Sequence, residues 1–263
     1  MSGPRARDVP AREDGLRLVH LHDVPAQAWK NGGGVTRELL RVVAPGAEGA
    51  TADAAWALRI SVADIATDGP FSAFPGIDRH FAVLSGAGVR LHLPGQAPLD
   101  CRAGDPPLAF DGADAPGCAL LDGATRDLNV MVDRRFGRAT LARAHAGAPA
   151  TAATTATGTA TVTATATAGA PASVPAPAQA TPRARGAYVG TPARLARAGH
   201  PDVALSAGTL AWLDDAREDD GPWTLLAADP DAGEARPLPP GPTATSAIAP
   251  WFWITYSASP PPR

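Results

Sequence analysis

The feature that most constrains the fold is a series of short segments in which apolar and polar residues alternate, nearly all of them separated by glycine, proline or aspartate. Alternation is typical of a β-strand, because successive side chains of a strand point to opposite faces of its sheet. Many short strands at close spacing favour an all-β sandwich or barrel. We predict strands at residues 16–21, 35–43, 56–62, 81–84, 89–93, 108–110, 119–121, 128–132, 203–206, 209–213, 223–227 and 248–256.

Composition divides the chain into five parts. Residues 1–14 are polar and are predicted to form a disordered tail. Residues 142–186 consist of Ala/Thr repeats followed by an Ala/Pro/Arg segment, which cannot bury enough apolar surface to offset chain entropy, so we predict a disordered insertion. The remaining parts are two predicted β units at 15–141 and 187–258, and a tail at 259–263.

Charge and cysteine content exclude several classes of function. The net charge of -3 and the lack of a basic stripe give no reason to expect nucleic acid as a partner. No apolar run approaches the length of a membrane span, so we expect a cytoplasmic protein without membrane association. Cys101 and Cys118 lack the spacing of a zinc site or a disulfide framework. The expected partners are small molecules or a second copy of the chain.

The segment Trp29–Leu39, WKNGGGVTREL, is a candidate binding site. Its three glycines allow positive φ and close approach to the backbone, and the Asn-Gly step is a turn signal, although such steps also occur in hairpins without a ligand. In the predicted strand that follows, Thr36 and Glu38 share one face with Leu40 and Val42. Polar groups on a face with core residues need partners. The segment lacks the Lys-Ser/Thr ending of a phosphate-binding loop.

Scarce residue types also point to this segment and to one other. The chain has one lysine, Lys30, two asparagines, Asn31 and Asn129, and one methionine after the initiator, Met131. All four lie in two short segments of a chain that is otherwise rich in Ala, Arg, Pro and Gly. This clustering indicates that specific chemistry has kept these residue types where they are, although a few rare residues can also cluster by chance.

Three segments together carry a family resemblance: WKNGGGVTREL, WALRISVADIATDGPFSAFPGIDRHFAVLSGAGVRL and LLDGATRDLNVMVDRR. In order and approximate spacing they resemble the HutD/Ves family of bacterial cupin-like proteins, over residues 16–141. The Ala/Thr insertion departs from the family. The resemblance implies a cupin-type β-barrel of RmlC-like jelly-roll form, doubled as a bicupin. It also implies a non-enzymatic regulator of histidine utilisation that binds a pathway intermediate such as urocanate or N-formylglutamate.

Cupins often hold a metal, but the residues here do not favour one. Such a site needs two imidazoles one residue apart on a strand, followed by a carboxylate and another histidine. The expected segment, residues 88–93, contains only His92. His80 could reach the lumen from an earlier strand, and His20 and His22 have alternate spacing but no nearby carboxylate beyond Asp23. We therefore predict no metal and no other cofactor.

The polar residues of the three segments suggest a site for a small carboxylate ligand. A guanidinium at Arg59 suits a carboxylate through two parallel hydrogen bonds, and Glu38 suits an imidazole or amide N–H. The predicted ligand-binding residues are Lys30, Asn31, Thr36, Glu38, Arg59, Ser61, Asp64, Asp127 and Asn129.

Structural alternatives exist for several of these residues. Arg59 and Glu38 could form a buried ion pair with each other, whether or not a ligand binds. Asp127 could cap a turn and Asn129 could bond to neighbouring backbone. We interpret Arg79 as a partner of Asp78 that stabilises a loop.

Two further functions remain open from the sequence. One is a metal-independent cupin enzyme, an isomerase or hydrolase acting on a small polar acid, with a partly desolvated Glu38 as general base. No G-x-S-x-G nucleophile motif occurs. The other is a structural or partner-binding role in which residues 142–186 act as a tether.

Overall fold

The computed structural model describes residue 12 and residues 14–47, 55–150, 184–216, 220–228 and 250–259. The predicted N-terminal tail and residues 151–183 of the predicted insertion lie almost wholly outside this range. The described residues form strands and two short 3-10 helices, Leu21–Asp23 and Gly112–Asp114, and none of their helices is long and apolar enough to cross a membrane. The strands are β1 (Leu16–His20), β2 (Gln27–Ala28), β3 (Gly34–Val43), β4 (Trp56–Ile65), β5 (Gly69–Pro70), β6 (Ile77–Ser85), β7 (Val89–His92), β8 (Leu99–Cys101), β9 (Leu108–Asp111), β10 (Gly117–Leu120), β11 (Thr125–Asp133), β12 (Gly137–Ala144), β13 (Ala184–Val189), β14 (Ala193–Arg197), β15 (His200–Leu205), β16 (Thr209–Asp214), β17 (Trp223–Ala227) and β18 (Trp251–Ala258).

These strands form four antiparallel sheets. The six-stranded sheet has the order β2-β3-β4-β11-β6-β9, and the four-stranded sheet has the order β5-β10-β7-β8. The five-stranded sheet has the order β1-β16-β13-β18-β12, and the three-stranded sheet has the order β15-β14-β17. The all-β, cupin-type fold predicted from the sequence is confirmed.

Three apolar clusters stack the sheets in layers. The largest cluster lies between the six-stranded and five-stranded sheets and joins Ile60, Val62 and Val130 to Tyr188 and Trp212. A second cluster fills the space between the five-stranded and three-stranded sheets. A third lies between the six-stranded and four-stranded sheets. The order of layers is therefore four-stranded, six-stranded, five-stranded and three-stranded.

The division predicted at residues 141 and 187 does not separate the sheets. Strands β1 and β12 come from the predicted first unit, yet they are the two edges of the five-stranded sheet, where they pair with β16 and β18. The predicted insertion is also shorter at both ends, because residues 142–144 continue β12 and residues 184–186 begin β13. Strand exchange between the halves explains the difference, since a boundary drawn from composition follows chain order and pairing need not.

The alternation of apolar and polar residues did not predict six of the strands: β2, β5, β8, β12, β13 and β14. Strands β2 and β5 have only two residues each, too few to show a period. In β12, with the sequence GRATLARA, alanine and glycine replace large apolar residues, so the buried face is not evident. Pairing with the aromatic strand β18 stabilises β12 in spite of this weak pattern.

Burial in the central layer predicts that alanine substitution lowers the free energy of unfolding much more at one leucine than at another. Leu58 is fully buried in the largest apolar cluster, whereas Leu99 is 42% exposed. We expect Leu58→Ala to lower the free energy of unfolding by about 2–5 kcal/mol, because the change leaves a cavity in close packing. Leu99→Ala, the matched control, should change it by about 0.5 kcal/mol or less. Urea unfolding followed by tryptophan fluorescence measures both, and equal losses would contradict this layer arrangement.

Candidate functional site

A cavity of about 730 Å³ opens on the face of the six-stranded sheet that is turned towards the four-stranded sheet. Strands β3, β4, β6 and β11 supply most of its polar residues, and the loops before β3 and after β5 supply Lys30, Asn31 and Ser72. Its volume lies within the range of small-molecule sites. The lining residues are Ala28, Trp29, Lys30, Asn31, Thr36, Arg59, Ser61, Ala63, Pro70, Phe71, Ser72, Ala73, Phe74, Arg79, Asp127, Asn129 and Met131.

Register across the three central strands fixes the order of these side chains. Met131 on β11 lies opposite Arg59 on β4 and Arg79 on β6, so the two guanidinium groups flank it. One step along the same face, Asn129 lies opposite Ser61. Alternate residues of each strand share a face, so these side chains all project to the cavity. Seven of the nine predicted site residues line it: Lys30, Asn31, Thr36, Arg59, Ser61, Asp127 and Asn129.

A hydrogen-bonded chain of three side chains crosses the floor of the cavity. The Arg79 Nε donates to Asn129 Oδ1 at 2.8 Å. Arg79 has only donors, so this bond fixes the amide orientation and leaves Asn129 Nδ2 to donate to Asp127 Oδ1. Asp127 is 1% exposed and Arg79 is 8% exposed. Neither forms an ion pair with any residue that the structure describes, so the amide separates two buried charges.

Arg79 was predicted to stabilise a loop with Asp78, and that prediction is wrong. Asp78 pairs instead with Arg134, at 2.5 Å between Oδ1 and Nε. The Arg79 guanidinium lies over the Phe71 ring, 4.2 Å from its centroid, and burial lowers its pKa to about 10. On β6, Arg79 lies on the same face as Phe81, which packs in an apolar cluster. Nothing in the sequence indicated that Arg79 faces a cavity and not that core.

Burial has the opposite effect on Asp127. Removal from water disfavours its charged form and raises its pKa to about 7, although the nearby Arg79 and the hydrogen bond from Asn129 oppose the rise. A carboxyl group in this state changes its charge close to neutral pH. The predicted alternative, a turn cap, does not hold, because Asp127 lies within β11 and its carboxylate faces the cavity.

Glu38 is held by two arginines and does not line the cavity. Arg41 donates to both of its carboxylate oxygens, at 2.8 and 2.7 Å, and Arg59 Nε lies 2.8 Å from Oε2. The ion pair between Arg59 and Glu38, left open by the sequence, is therefore present. The predicted role of Glu38 as acceptor for a ligand N–H is corrected, because both of its oxygens already accept from arginine.

A β-bulge explains why Glu38 lies beside Arg41. The register between β3 and β4 shifts between Glu38 and Leu40, so Leu39 is an extra residue in β3. Glu38 and Arg41 consequently share a face, while Leu39 and Leu40 are both buried in the largest apolar cluster. The predicted common face for Thr36, Glu38, Leu40 and Val42 assumed an unbroken period of two, which the bulge interrupts.

Asp64 is also corrected, because it points to the opposite face of β4. It accepts from Arg126 Nε at 2.5 Å and from Arg37 Nη1 at 3.1 Å. The strand alternation that directs Arg59 and Ser61 to the cavity directs Asp64 away from it. Its carboxylate therefore serves a structural ion-pair network on the side of the five-stranded sheet.

The predicted glycine turn forms one rim of the cavity. Trp29 Nε1 donates to Thr36 Oγ1 at 2.8 Å, and Asn31 Oδ1 accepts from the backbone N–H of Gly33 at 3.0 Å. Gly32 has φ of +73°. A Cβ at Gly34 would lie 2.4 Å from the carbonyl oxygen of Asp64 and 3.1 Å from the Trp29 ring, so glycine is required for this close approach.

The histidines do not converge on the cavity. His80 has the same parity as Ala82 and Leu84, so it points away from the cavity, where burial lowers its pKa. His92 is exposed on β7. In the part of the chain that the structure describes, no three His, Cys, Asp or Glu side chains are grouped to hold a metal ion.

Sequence reasoning missed the apolar side of the cavity. Trp29, Phe71, Phe74 and Met131 line it together with Arg79. The only signal for Met131 was its rarity, and all four of the scarce residues, Lys30, Asn31, Asn129 and Met131, do line the cavity. The aromatic residues gave no such signal, because aromatics in turn-rich segments more often pack loops onto a core.

Comparison with known proteins matches the resemblance in the sequence. The model of the HutD family matches residues 21–192. An uncharacterised 21.2 kDa protein from the hutC 3′ region of Pseudomonas putida is 39% identical over 126 residues, which are 48% of this chain and 63% of that protein. Protein Ves of Citrobacter koseri is 35% identical over 120 residues, 45% of this chain and 59% of Ves. The chain thus matches less than two thirds of the length of these relatives.

Solved structures extend the likeness of fold. HutD from Pseudomonas fluorescens SBW25 superposes with a TM-score of 0.63 at 18% identity, over 93% of this chain and 100% of that chain. A conserved protein of unknown function from Pseudomonas aeruginosa PAO1 gives a TM-score of 0.62 at 24% identity, with the same coverage. These likenesses show the shared fold.

The close approach at Gly34 predicts a selective effect of a single methyl group. We expect Gly34→Ala to lower the free energy of unfolding by about 1–3 kcal/mol, because the overpacked contact must displace backbone or the Trp29 ring. The control is Gly69→Ala in β5, where the nearest atom would lie 3.9 Å away. Urea unfolding compares the two variants. A loss at Gly69 as large as that at Gly34 would contradict the packing described for this rim.

Proposed function

We propose that this chain, which belongs to the HutD family, binds a small carboxylate in the cavity and acts as a non-enzymatic regulator of histidine degradation. The proposed ligand is a pathway intermediate such as urocanate or N-formylglutamate. An association with histidine utilisation is supported by the family and by the relative from a hut region. We propose a cytoplasmic location for this role. The pairing of the six-stranded sheet with the four-stranded sheet, and of the five-stranded sheet with the three-stranded sheet, supports a bicupin architecture.

The observation that carries the proposal is the state of Arg79. Its Nε donates to Asn129 and its guanidinium plane lies over the Phe71 ring. Its two Nη groups have no hydrogen-bond partner among the described residues. A guanidinium held in this way presents two parallel donors, the geometry that matches both oxygens of a carboxylate. Because few of its rotamers remain accessible, little side-chain entropy is lost when the ligand binds.

The walls of the cavity suit the rest of such a ligand. Trp29 and Phe74 lie at the rim, and Phe71 and Met131 lie beside the guanidinium groups. Aromatic and thioether surfaces favour a flat or apolar ligand body by burial and stacking. Lys30 is exposed at the rim, where its charge attracts an anion. An anionic end and a less polar body are both features of urocanate.

One observation favours the enzymatic alternative, although with a different residue from the predicted base. Glu38 is held by two arginines and does not line the cavity, so it is not placed to take a proton from a ligand there. Asp127 has a pKa raised to about 7 and faces the cavity, so it would be the general base of an isomerase or hydrolase. Turnover of either compound, followed by NMR, would favour this alternative over binding alone.

Ligand binding is tested by thermal unfolding of the purified chain. We expect urocanate or N-formylglutamate to stabilise the folded state by about 2.7 kcal/mol at a hundredfold excess over its dissociation constant, since the ligand binds the folded state only. Acetate at the same concentration controls for ionic strength. The absence of a shift with both compounds at millimolar concentration would contradict the proposal.

The assignment of Arg79 is tested by substitutions that keep the charge. Arg79→Lys should weaken binding by about 10- to 100-fold, because lysine cannot supply two parallel donors from a fixed plane. The control is Arg90→Lys, an exposed residue on β7 that pairs with Asp100, and it should bind as the wild type does. Calorimetric titration measures the dissociation constants.

Arg59→Lys distinguishes the two guanidinium groups. Arg59 already contacts Glu38 through Nε, so we expect a smaller loss of affinity than for Arg79→Lys. If Arg59→Lys loses more affinity than Arg79→Lys, the main contact with the ligand carboxylate belongs to Arg59.

A further inference from the structure

The charges that line the cavity are unbalanced. Among the described lining residues, Lys30, Arg59 and Arg79 are cationic and Asp127 is the one carboxylate. Glu38 offsets part of the charge of Arg59 from behind, but it also faces Arg41. A cavity with more cations than anions and a partly apolar wall favours a ligand with more than one negative charge.

The two guanidinium groups are placed to hold two separate anionic groups. Arg59 and Arg79 lie on opposite sides of Met131, each on a strand that neighbours β11. Adjacent strands are about 4.8 Å apart, so the two arginines start from backbones roughly 10 Å apart. The Arg79 Nε donates to Asn129 Oδ1, and the Arg59 Nε lies 2.8 Å from Glu38 Oε2 in an ion pair. Both arginine side chains line the same cavity.

Asp127 lies on the face that a bound anion must approach. Its carboxylate has one described hydrogen bond, from Asn129, and no described ion pair. An anion bound between the guanidinium groups would therefore meet a carboxylate that nothing neutralises directly. The charged or titratable groups around it are Arg79 on β6, Arg59 and Asp64 on β4, Cys118 on β10, Arg126 on β11 itself and Lys30 at the rim.

Building on the proposed function, we propose that the cavity selects a dicarboxylate and that Asp127 takes up one proton from solvent when this dianion binds. The protonated carboxyl removes the repulsion between like charges and supplies an O–H donor to the ligand. Asp127 is then a specificity-determining residue. Its protonated form accepts a second anionic group that its ionised form would repel.

The direction of the pH dependence follows from linkage. Without ligand, Asp127 has a pKa of about 7, and a dianion beside it raises that pKa further because the neutral form is then favoured. Below pH 7 the proton is already present, so affinity is independent of pH. Above pH 7 each binding event must take a proton from solvent, so affinity falls by about tenfold per pH unit until the pKa of the complex is passed.

The test uses N-formylglutamate and its matched monoacid N-formylnorvaline, in which a methyl group replaces the second carboxylate. Carboxyl groups of such compounds titrate near pH 4, well below the range studied. Calorimetric titration of the full chain at pH 6 and pH 8, in two buffers with different ionisation enthalpies, counts the protons taken up. We expect close to one proton per N-formylglutamate at pH 8 and close to none at pH 6. N-formylnorvaline should bind more weakly and take up fewer protons.

Variants identify the group that titrates. Asp127→Asn keeps the shape of the side chain and removes the charge, so its affinity for N-formylglutamate should no longer fall between pH 7 and pH 9. Asp100→Asn, an exposed carboxylate on β8 that pairs with Arg90, should keep the tenfold slope of the wild type. The proton count of the wild type tests the same point without any variant, should Asp127→Asn not fold.

The possible outcomes separate the two proposals. If neither N-formylglutamate, N-formylnorvaline nor urocanate binds, the proposed function is overturned. If urocanate or N-formylnorvaline binds and N-formylglutamate does not, the site exists but is not selective for dicarboxylates. If N-formylglutamate binds with the same affinity at pH 6 and pH 8 and with no proton uptake, the role of Asp127 is overturned and the binding function stands.

Discussion

Two buried, opposite charges that do not touch each other are the constraint on which the candidate site depends. Arg79 and Asp127 are both almost fully buried, and Asn129 bonds to each of them from between. Burial in such an environment costs each ion roughly several kcal/mol of hydration free energy. A direct ion pair would recover part of that energy but would also use the donors and acceptors. The amide between them keeps both groups in place with polar atoms left for a ligand.

The rigidity of this arrangement comes from the other face of the same strands. Strands β4 and β11 alternate strictly, so each polar residue of the cavity has apolar neighbours such as Ile60 and Val130 that are fully buried against the five-stranded sheet. That apolar layer stabilises the strands and fixes the register that sets Arg59, Met131 and Arg79 in one row. Preorganisation of the polar face is thus a consequence of packing on the apolar face.

Sequence patterns predicted the parts of this structure that depend on local alternation. Arg59 and Ser61 were predicted to belong to one site, and the Asn-Gly step was predicted to form a turn, because period and turn chemistry are local properties. The bulge at Leu39 could not be predicted, since its pattern of two adjacent leucines reads equally as a simple strand. The position of Arg79 in the cavity was also not predicted, because no local signal distinguishes a residue that faces a cavity from one that faces a loop.

The bulge makes the two arginines of the cavity unequal. By inserting Leu39, it sets Arg41 beside Glu38, and this pair holds Arg59 by its Nε from outside the cavity. Arg79 is held instead by a neutral amide and by an aromatic face. A guanidinium that already has a carboxylate partner gains less from a second one than a guanidinium without any, because its charge is already partly compensated. A ligand with two acidic ends would therefore direct its stronger anionic group towards Arg79 and its second towards Arg59, and the sheet itself would set the direction in which the ligand lies.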